Sequence, residues 1–315
     1  MIVKAFAKIN LSLDILGKRA DGYHLLDMVM HSVSLCDTLT LTEMKEGVTV
    51  SCDREGIPCG PENTVYRAAE AFYQYTERTP GIQISIDKQI PSQAGLAGGS
   101  ADPAAVLRAL NLMHQTNLSM ETLCEIGLAG GSADAAAVLR ALNLMHQTNL
   151  SMETLCEIGL TVGADVPFCV VGGAARVQGI GEKWRPVIPL PDCRIVICKP
   201  PLGVNTAEAY AKADEQGGTG RALYTKQVLQ GLEQGDLSEI GSALGNAFSD
   251  LLPLPEVDII RDHMLRDGAA GACMTGSGSA VYGLFASGDA AEQCGRGLLP
   301  LYPETFLCRP IRTCP

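Results

Sequence analysis

The sequence predicts an α+β chain of two domains, and three observations carry that prediction. The opening residues alternate apolar and polar side chains at a period of two, as strands do. A glycine-rich turn at 95–99 then joins a strand pattern ending at Pro91 to a helical run, AAVLRALNLMHQ. Beyond the proline-rich stretch Pro186–Pro191, RIVICKP begins a fresh buried strand, which sets the domain boundary: residues 1–187 and 188–315.

The elements follow in order. VKAFAKINLSLDILG reads as a strand, DGYHLLDMVMHSVSL as a second after a DG turn, and DTLTLTEM and GVTVSC continue the β-rich opening. NTVYRAAEAFYQYTE has helical spacing with Asn63 at the N-cap. GIQISIDKQIP is a strand. After the glycine turn come two helices, the second opening at Ser119 or its copy Ser151. LTVGADVPFCVVGGAARVQGIGE gives a short helix and a hairpin, with Trp184 packing near the boundary. In the second domain NTAEAYAKAD is a helix, EQGGTG a loop, and GACMTGSGSAVYGLF two strands around a glycine turn.

Residues 96–127 and 128–159 are the same 32-residue segment written twice, differing only at Pro103 against Ala135. Two copies are too few for a solenoid core, so this reads as a recent tandem duplication. Because Gly95-Leu96, Gly127-Leu128 and Gly159-Leu160 repeat the same junction, any 32-residue window between 96 and 159 can be looped out, leaving 283 of the 315 residues. A surface loop is the least costly place to do so. The expectation is that the phosphate loop comes from the first copy, the second helix from the second copy, and that roughly 118–149 is spare. With Ser100 as helix cap, Pro103 falls in the first turn, where its missing N–H is tolerated, although Pro disfavours helical backbone at Asp102.

Composition narrows the function. A net charge of −11 argues against non-specific nucleic-acid binding, and no run reaches the length of a membrane span. The twelve cysteines contain no CxxC pair, and Met1 leads straight into a strand pattern. A reduced, cytoplasmic chain without a zinc site is the expectation.

The chemistry-bearing loop is Pro91-Ser92-Gln93-Ala94-Gly95-Leu96-Ala97-Gly98-Gly99-Ser100-Ala101. Glycines let backbone approach a polyphosphate, and a helix start adds free N–H groups and a positive dipole end. It is neither a Walker A loop nor a GxGxxG fingerprint, and alone it could be a tight turn. Thr275-Gly276-Ser277-Gly278-Ser279 is a second glycine cluster, or a hairpin turn. Lys8 and Asn10 share one face of a strand, where a lone Lys is ordinarily solvated, and Asp165 in VGADVPF could be a helix cap. His114, His146, His31 and His263 read as structural.

Taken together, AKINLSLDILGKRADGYH, PSQAGLAGGSAD and TGSGSAVYG resemble, in order and separation, the three motifs of the GHMP small-molecule kinases. The resemblance covers nearly the whole chain once one repeat is set aside. It implies a two-domain fold, ribosomal-protein-S5-like then ferredoxin-like, with the active site in the cleft between domains, ATP as phosphoryl donor and Mg²⁺ as its companion. Asp165 would be the catalytic aspartate and Lys8 the catalytic lysine. RADGYH with LTVGADVPF resembles the branch that serves non-mevalonate isoprenoid synthesis and phosphorylates an erythritol hydroxyl on a substrate carrying a cytidine diphosphate moiety. Asn10, Tyr23, His24, Tyr210 and Gly276 would then face the substrate, Tyr23 and Tyr210 sandwiching its cytosine. Asn63 and Lys88 would lie on the adenine side, and Ser100 could ligate the metal. Neither nucleic acid nor a membrane is an expected partner, and the chain would be a monomer or homodimer. Ala97 departs from the family pattern, where a third glycine is common. Other readings are another GHMP kinase, such as a homoserine or mevalonate kinase, or a folded nucleotide-binding protein inactivated by the duplication.

Overall fold

The computed structural model describes residues 1–312 except 21, 120–121, 124–125, 127–164, 182 and 217–222. The chain forms two compact units that interleave along the sequence. One holds 1–6, 36–90 and the described part of 98–171; the other holds 7–35, 91–97 and the described part of 172–315. The chain therefore divides otherwise than at residue 187. The physical reason is that β1 (Ile2–Lys18) and β2 (His24–Glu43) are long strands, each supplying residues to both units.

In the first unit, β3 (Gly47–Cys52) and β4 (Gly81–Asp87) pair in parallel around α1 (Thr64–Tyr75), while β4 pairs antiparallel with Thr38–Glu43 of β2. GIQISID alternates as its sequence requires: Ile82, Ile84 and Ile86 are buried. Helix α1 buries Val65, Ala68, Ala69 and Phe72. It packs on α2 (Gly98–Met113), which in turn packs on α3 (Val166–Val171).

The first copy of the repeat supplies α2. It also supplies more than expected. Ser119 accepts from the Thr122 amide, Thr122, Leu123 and Ile126 are helical, and Leu123 and Ile126 are fully buried. The expectation that the spare window opens at 118 is corrected here, because each of these side chains gains about 1.5–3 kcal/mol from burial. The rest of that window, and the second copy with Gly130, Gly131 and Ala135, lie outside the described residues.

In the second unit, β7 (Arg194–Cys198), β9 (Gly271–Met274), β10 (Val281–Phe285) and β11 (Thr305–Cys308) form an antiparallel sheet ordered β11-β7-β10-β9. Helices α8 (Pro255–Arg266) and α9 (Gly288–Leu298) pack on it. The order β-α-β-β-α-β is ferredoxin-like. Between β7 and α8 lie α4 (Thr206–Glu215), α5 (Thr225–Gln234), α6 (Leu237–Ala243), the short β8 (Gly245–Asn246) and α7 (Ala247–Leu251). β5 (Ala174–Gly179) and β6 (Lys183–Pro186) form the expected hairpin, with β5 against β2. β1 pairs in parallel with β8. Among the described residues no helix is long and apolar enough to cross a membrane, and every cysteine is a free thiol.

Candidate functional site

Strand β1 decides the site in the second unit. The sequence suggests one solvated polar face, yet Lys8, Asn10, Ser12 and Asp14 are all buried. Burying such groups is costly unless each is bonded, and each is. Lys8 Nζ donates to Asn10 Oδ1 at 2.6 Å. Ser12 pairs with Thr225 at 2.9 Å. Asp14 accepts from the Tyr224 and Thr225 amides at 2.8 and 2.9 Å, capping α5, whose own N-cap residue gives no side-chain bond.

Asn10 ties this strand to the late glycine turn. Its Oδ1 also accepts from the Gly276 amide at 3.0 Å, and its backbone N–H donates to Thr275 Oγ1 at 3.0 Å. Tyr282 donates to the Asn10 carbonyl at 2.8 Å. Asn10 is 1% exposed, so it holds Lys8 against the TGSGS turn instead of offering a free carboxamide.

The two glycine motifs touch through backbone. Thr275 Oγ1 donates to the Gly95 carbonyl at 3.2 Å. A Cβ on Gly95 (φ +73°) would sit 2.0 Å from the Thr275 carbonyl oxygen, and one on Gly276 (φ +58°) would sit 2.9 Å from Gly95 Cα. Glycine is required at both on space and conformation. The loop carries further left-handed residues: Gln93 at φ +52° and Ala97 at φ +57°. Leu96 is buried and its carbonyl accepts from the Lys8 amide at 3.1 Å. Pro91 is buried at the start of the loop.

An aromatic group completes this unit. His24 stacks on Tyr210 with ring centroids 4.5 Å apart and 20° between planes, and Tyr210 meets Phe248 edge-on at 4.9 Å. The ring placed on Tyr210 is therefore His24, and at 4.5 Å no base fits between the two. Tyr23 is 37% exposed. Asp214, one turn beyond Tyr210, bonds His24 Nε2 at 2.6 Å and Lys18 Nζ at 2.5 Å.

In the first unit α2 begins at Gly98, so Gly98, Gly99, Ser100 and Ala101 form its first turn, where amides have no intrahelical acceptor. Nothing lies within 4 Å of a Cβ built on Gly99. That open space and those amides fit a phosphate. Two expectations are corrected: Ser100 is inside the helix, not its cap, and Pro103 lies in the second turn. It withholds the bond that would reach the Gly99 carbonyl.

Lys88 is held inward. Its Nζ donates to Asp37 at 2.5 Å and Asp102 at 2.7 Å, with its side chain only 7% exposed. Burial opposes the ammonium, but the two carboxylates more than offset it and raise its pKa. Asp102 is pushed up to about 7 by burial, despite Lys88, with Asp37 adding to the rise. Asn63 caps α1, accepting from the Val65 amide at 2.8 Å and donating to the Pro58 carbonyl at 2.5 Å. Both side chains expected on the adenine side are thus committed to internal bonds. Asp165, half-buried, precedes α3, and its carbonyl accepts the first helical bond from the Cys169 amide at 3.0 Å.

Among the described residues the grouping at ligand spacing is His263, Asp267 and Cys294, on and beside α8 and α9. His263 pairs there with Asp267 at 3.3 Å, a partner four residues on that the sequence reading overlooked. The ionic roles of Asp37, Asp102 and Asp214 were missed as well. Only Asp214 carried a signal, its i+4 spacing from Tyr210.

The model of the GHMP kinases N terminal domain matches residues 63–127 and 125–173, two stretches that meet where the repeat copies join, and that of the GHMP kinases C terminal domain matches 228–300. The chain is 37% identical to a 4-diphosphocytidyl-2-C-methyl-D-erythritol kinase of Moorella thermoacetica, covering 99% of each chain. It is 34% identical to the enzyme of the same name from Clostridium botulinum (strain Kyoto / Type A2), covering 99% of this chain and all of that one. A crystal structure of 4-(cytidine 5′-diphospho)-2C-methyl-D-erythritol kinase superposes with a TM-score of 0.75 at 28% identity, over 98% of this chain and 99% of that one.

Proposed function

The chain belongs to the 4-diphosphocytidyl-2-C-methyl-D-erythritol kinases of the GHMP kinase family, and from that membership we propose how its residues carry out ATP-dependent phosphorylation of an erythritol hydroxyl on that substrate. Asp165 accepts the hydroxyl proton as the oxygen attacks. The new P–O bond forms as the bond to the β-phosphate oxygen breaks, and ADP leaves. Lys8 neutralises charge on the transferring group. The first-turn amides of Gly98–Ala101 hold phosphate oxygens, and the Pro91–Ala97 loop sets their approach. The Ser100 hydroxyl would be this chain's own ligand to the nucleotide's Mg²⁺, which would neutralise charge on the phosphates.

The observation that carries the reading is the buried Lys8 ammonium, fixed by Asn10 to the TGSGS turn. A buried ammonium shaped by hydrogen bonds is a means of stabilising developing phosphoryl charge, and a solvated strand Lys would not be built this way. A cytoplasmic setting fits the free thiols.

Tyr23 and Tyr210 test the substrate side. Base–aromatic stacking contributes about 1–3 kcal/mol per base, so Tyr23→Ala should raise KM for the cytidyl substrate roughly 5- to 150-fold, and Tyr210→Ala, which removes the ring stacked on His24, should raise it as well. An unchanged KM in both variants contradicts the cytidyl assignment.

A further inference from the structure

Helices α8 and α9, which pack on the antiparallel sheet of the second unit, bring together three side chains that lie outside every motif that pointed to the family. His263 is in the last turn of α8, and Asp267, which ends that helix, follows four residues on, so both leave the same face. Cys294 comes from α9, which packs against α8. His263 Nε2, an Asp267 oxygen and Cys294 Sγ all lie within 4.8 Å of one another. Asp267 meets both others: its Oδ2 is 3.3 Å from Nε2, and its carboxylate accepts from the Cys294 thiol. Gly297, three residues after Cys294, leaves the imidazole its room, since a Cβ there would sit 3.1 Å from Nε2. Cys294 is fully buried, while the His263 and Asp267 side chains are 26% and 27% exposed. The group is closed behind by the thiol and open to solvent in front.

We propose that His263, Asp267 and Cys294 form a zinc site that fastens the C-terminal end of α8 to α9. Imidazole nitrogen, carboxylate oxygen and thiolate sulphur are the ligand types zinc takes, and solvent supplies the fourth position of its tetrahedron. Tetrahedral bonds of about 2.0–2.1 Å set an N···O edge of about 3.3–3.4 Å, which the 3.3 Å between His263 and Asp267 already meets. A cation here also lies at the negative end of the α8 dipole. Mg²⁺ takes oxygen ligands and is poorly served by a thiol and an imidazole, so this site is distinct from that of the nucleotide's metal. Binding breaks the Cys294 S–H bond and sends its proton to solvent, while sulphur gives a lone pair to the metal; zinc stays divalent and nothing is oxidised. The absence of a CxxC pair hid the site, because its ligands come from two helices that β9 and β10 separate along the chain.

None of the three side chains belongs to the proposed catalytic or phosphate-binding machinery, so the test is independent of turnover. The full chain, cleared of metal with a chelator, is titrated with Co²⁺, whose charge-transfer and d–d absorption bands report thiolate and tetrahedral ligation, and then with Zn²⁺ in competition. Wild type should develop the thiolate band, lose it to Zn²⁺ and keep it in a large excess of Mg²⁺. Cys294→Ala should abolish the band. His263→Gln and Asp267→Asn change part-exposed positions and spare the core, and each should weaken Zn²⁺ binding at least about 10-fold, the loss seen even when groups behind metal ligands are changed. Cys59→Ser removes an exposed thiol elsewhere and should alter neither band nor affinity. Zn²⁺ should raise the melting temperature of wild type and of Cys59→Ser, and leave that of the other three variants unmoved. A wild-type chain without the thiolate band, a band that survives Cys294→Ala, or Zn²⁺ affinity that falls less than about 10-fold in His263→Gln and Asp267→Asn overturns the proposal.

Discussion

Lys88 and Asp102 meet 2.7 Å apart, each side chain less than a tenth exposed, with Asp37 closing the group from the other side of the ammonium. Asp102 is a residue of α2, three positions beyond Gly99. Pro103 opposes helical backbone at Asp102, and the ion pair with Lys88 holds the residue in the helix regardless. The start of the proposed phosphate-binding helix is thus fastened by a buried charge pair.

Removing the cation should be the more damaging change. Lys88→Met leaves two buried carboxylates without their counter-ion, and breaking such a pair costs about 3–5 kcal/mol. Denaturant unfolding checks this; a loss under about 1 kcal/mol would mean that the cluster is more hydrated than its burial implies.

The same cluster sets a pH dependence. The folded Asp102 pKa is raised from 3.8 to about 7 by burial. Its protonated form favours the folded state, so this contribution is full below about 4 and is lost as pH rises toward 7. His31 works oppositely: burial lowers its pKa from 6.5 to about 4, so its contribution is lost as pH falls through that window. Asp102→Asn removes only the first effect. The stability of the variant relative to wild type should therefore improve steadily from pH 4 to pH 7. A difference that stays flat across that range contradicts the assignment.

The loop offers a paired test of backbone strain. Ala97 stands at φ +57° where glycine pays no steric penalty, so Ala97→Gly should cost little or stabilise by up to about 1 kcal/mol. Gly95→Ala should destabilise by several times that, since its Cβ would fall 2.0 Å from a carbonyl oxygen. Thermal melts with opposite shifts would confirm the loop; a tolerated Gly95→Ala would refute it.

Pro103 has a built-in comparison, since the second copy has Ala135 at the matching position. Pro103→Ala restores an N–H for the Gly99 carbonyl in the second turn of α2 and should stabilise by up to about 3 kcal/mol. No gain in melting temperature would show that the proline is compensated by its packing.

Catalysis gives the sharpest contrast among site residues. Asp165→Asn and Lys8→Met should each lower kcat by about 10²- to 10⁴-fold with little change in stability for Asp165→Asn. Steady-state kinetics beside unfolding curves separate the two effects.

Much of the fold was legible because its signals are local. The Asn63 cap, the alternating isoleucines of β4 and the glycine turn between β9 and β10 each follow from a few adjacent residues. The glycine motifs were legible by resemblance. What was not legible depends on distant partners. Lys8 reads as solvated until Asn10, Thr275 and Gly276 are brought around it. Lys88 reads as available until Asp37 and Asp102, 51 and 14 residues away, claim its ammonium. The division of the chain escaped the sequence because composition changes at Pro186–Pro191, while the two long strands serve both units without any local mark.

The most direct measurement is ADP release by the 315-residue chain with Mg-ATP and 4-diphosphocytidyl-2-C-methyl-D-erythritol, with homoserine and mevalonate as parallel substrates and a 283-residue form lacking one repeat copy alongside. The account predicts turnover by the full chain with the cytidyl substrate alone. Turnover with homoserine or mevalonate, or none by the full chain while the shorter form is active, would contradict it, the latter by showing that the duplication disables a correctly assigned kinase.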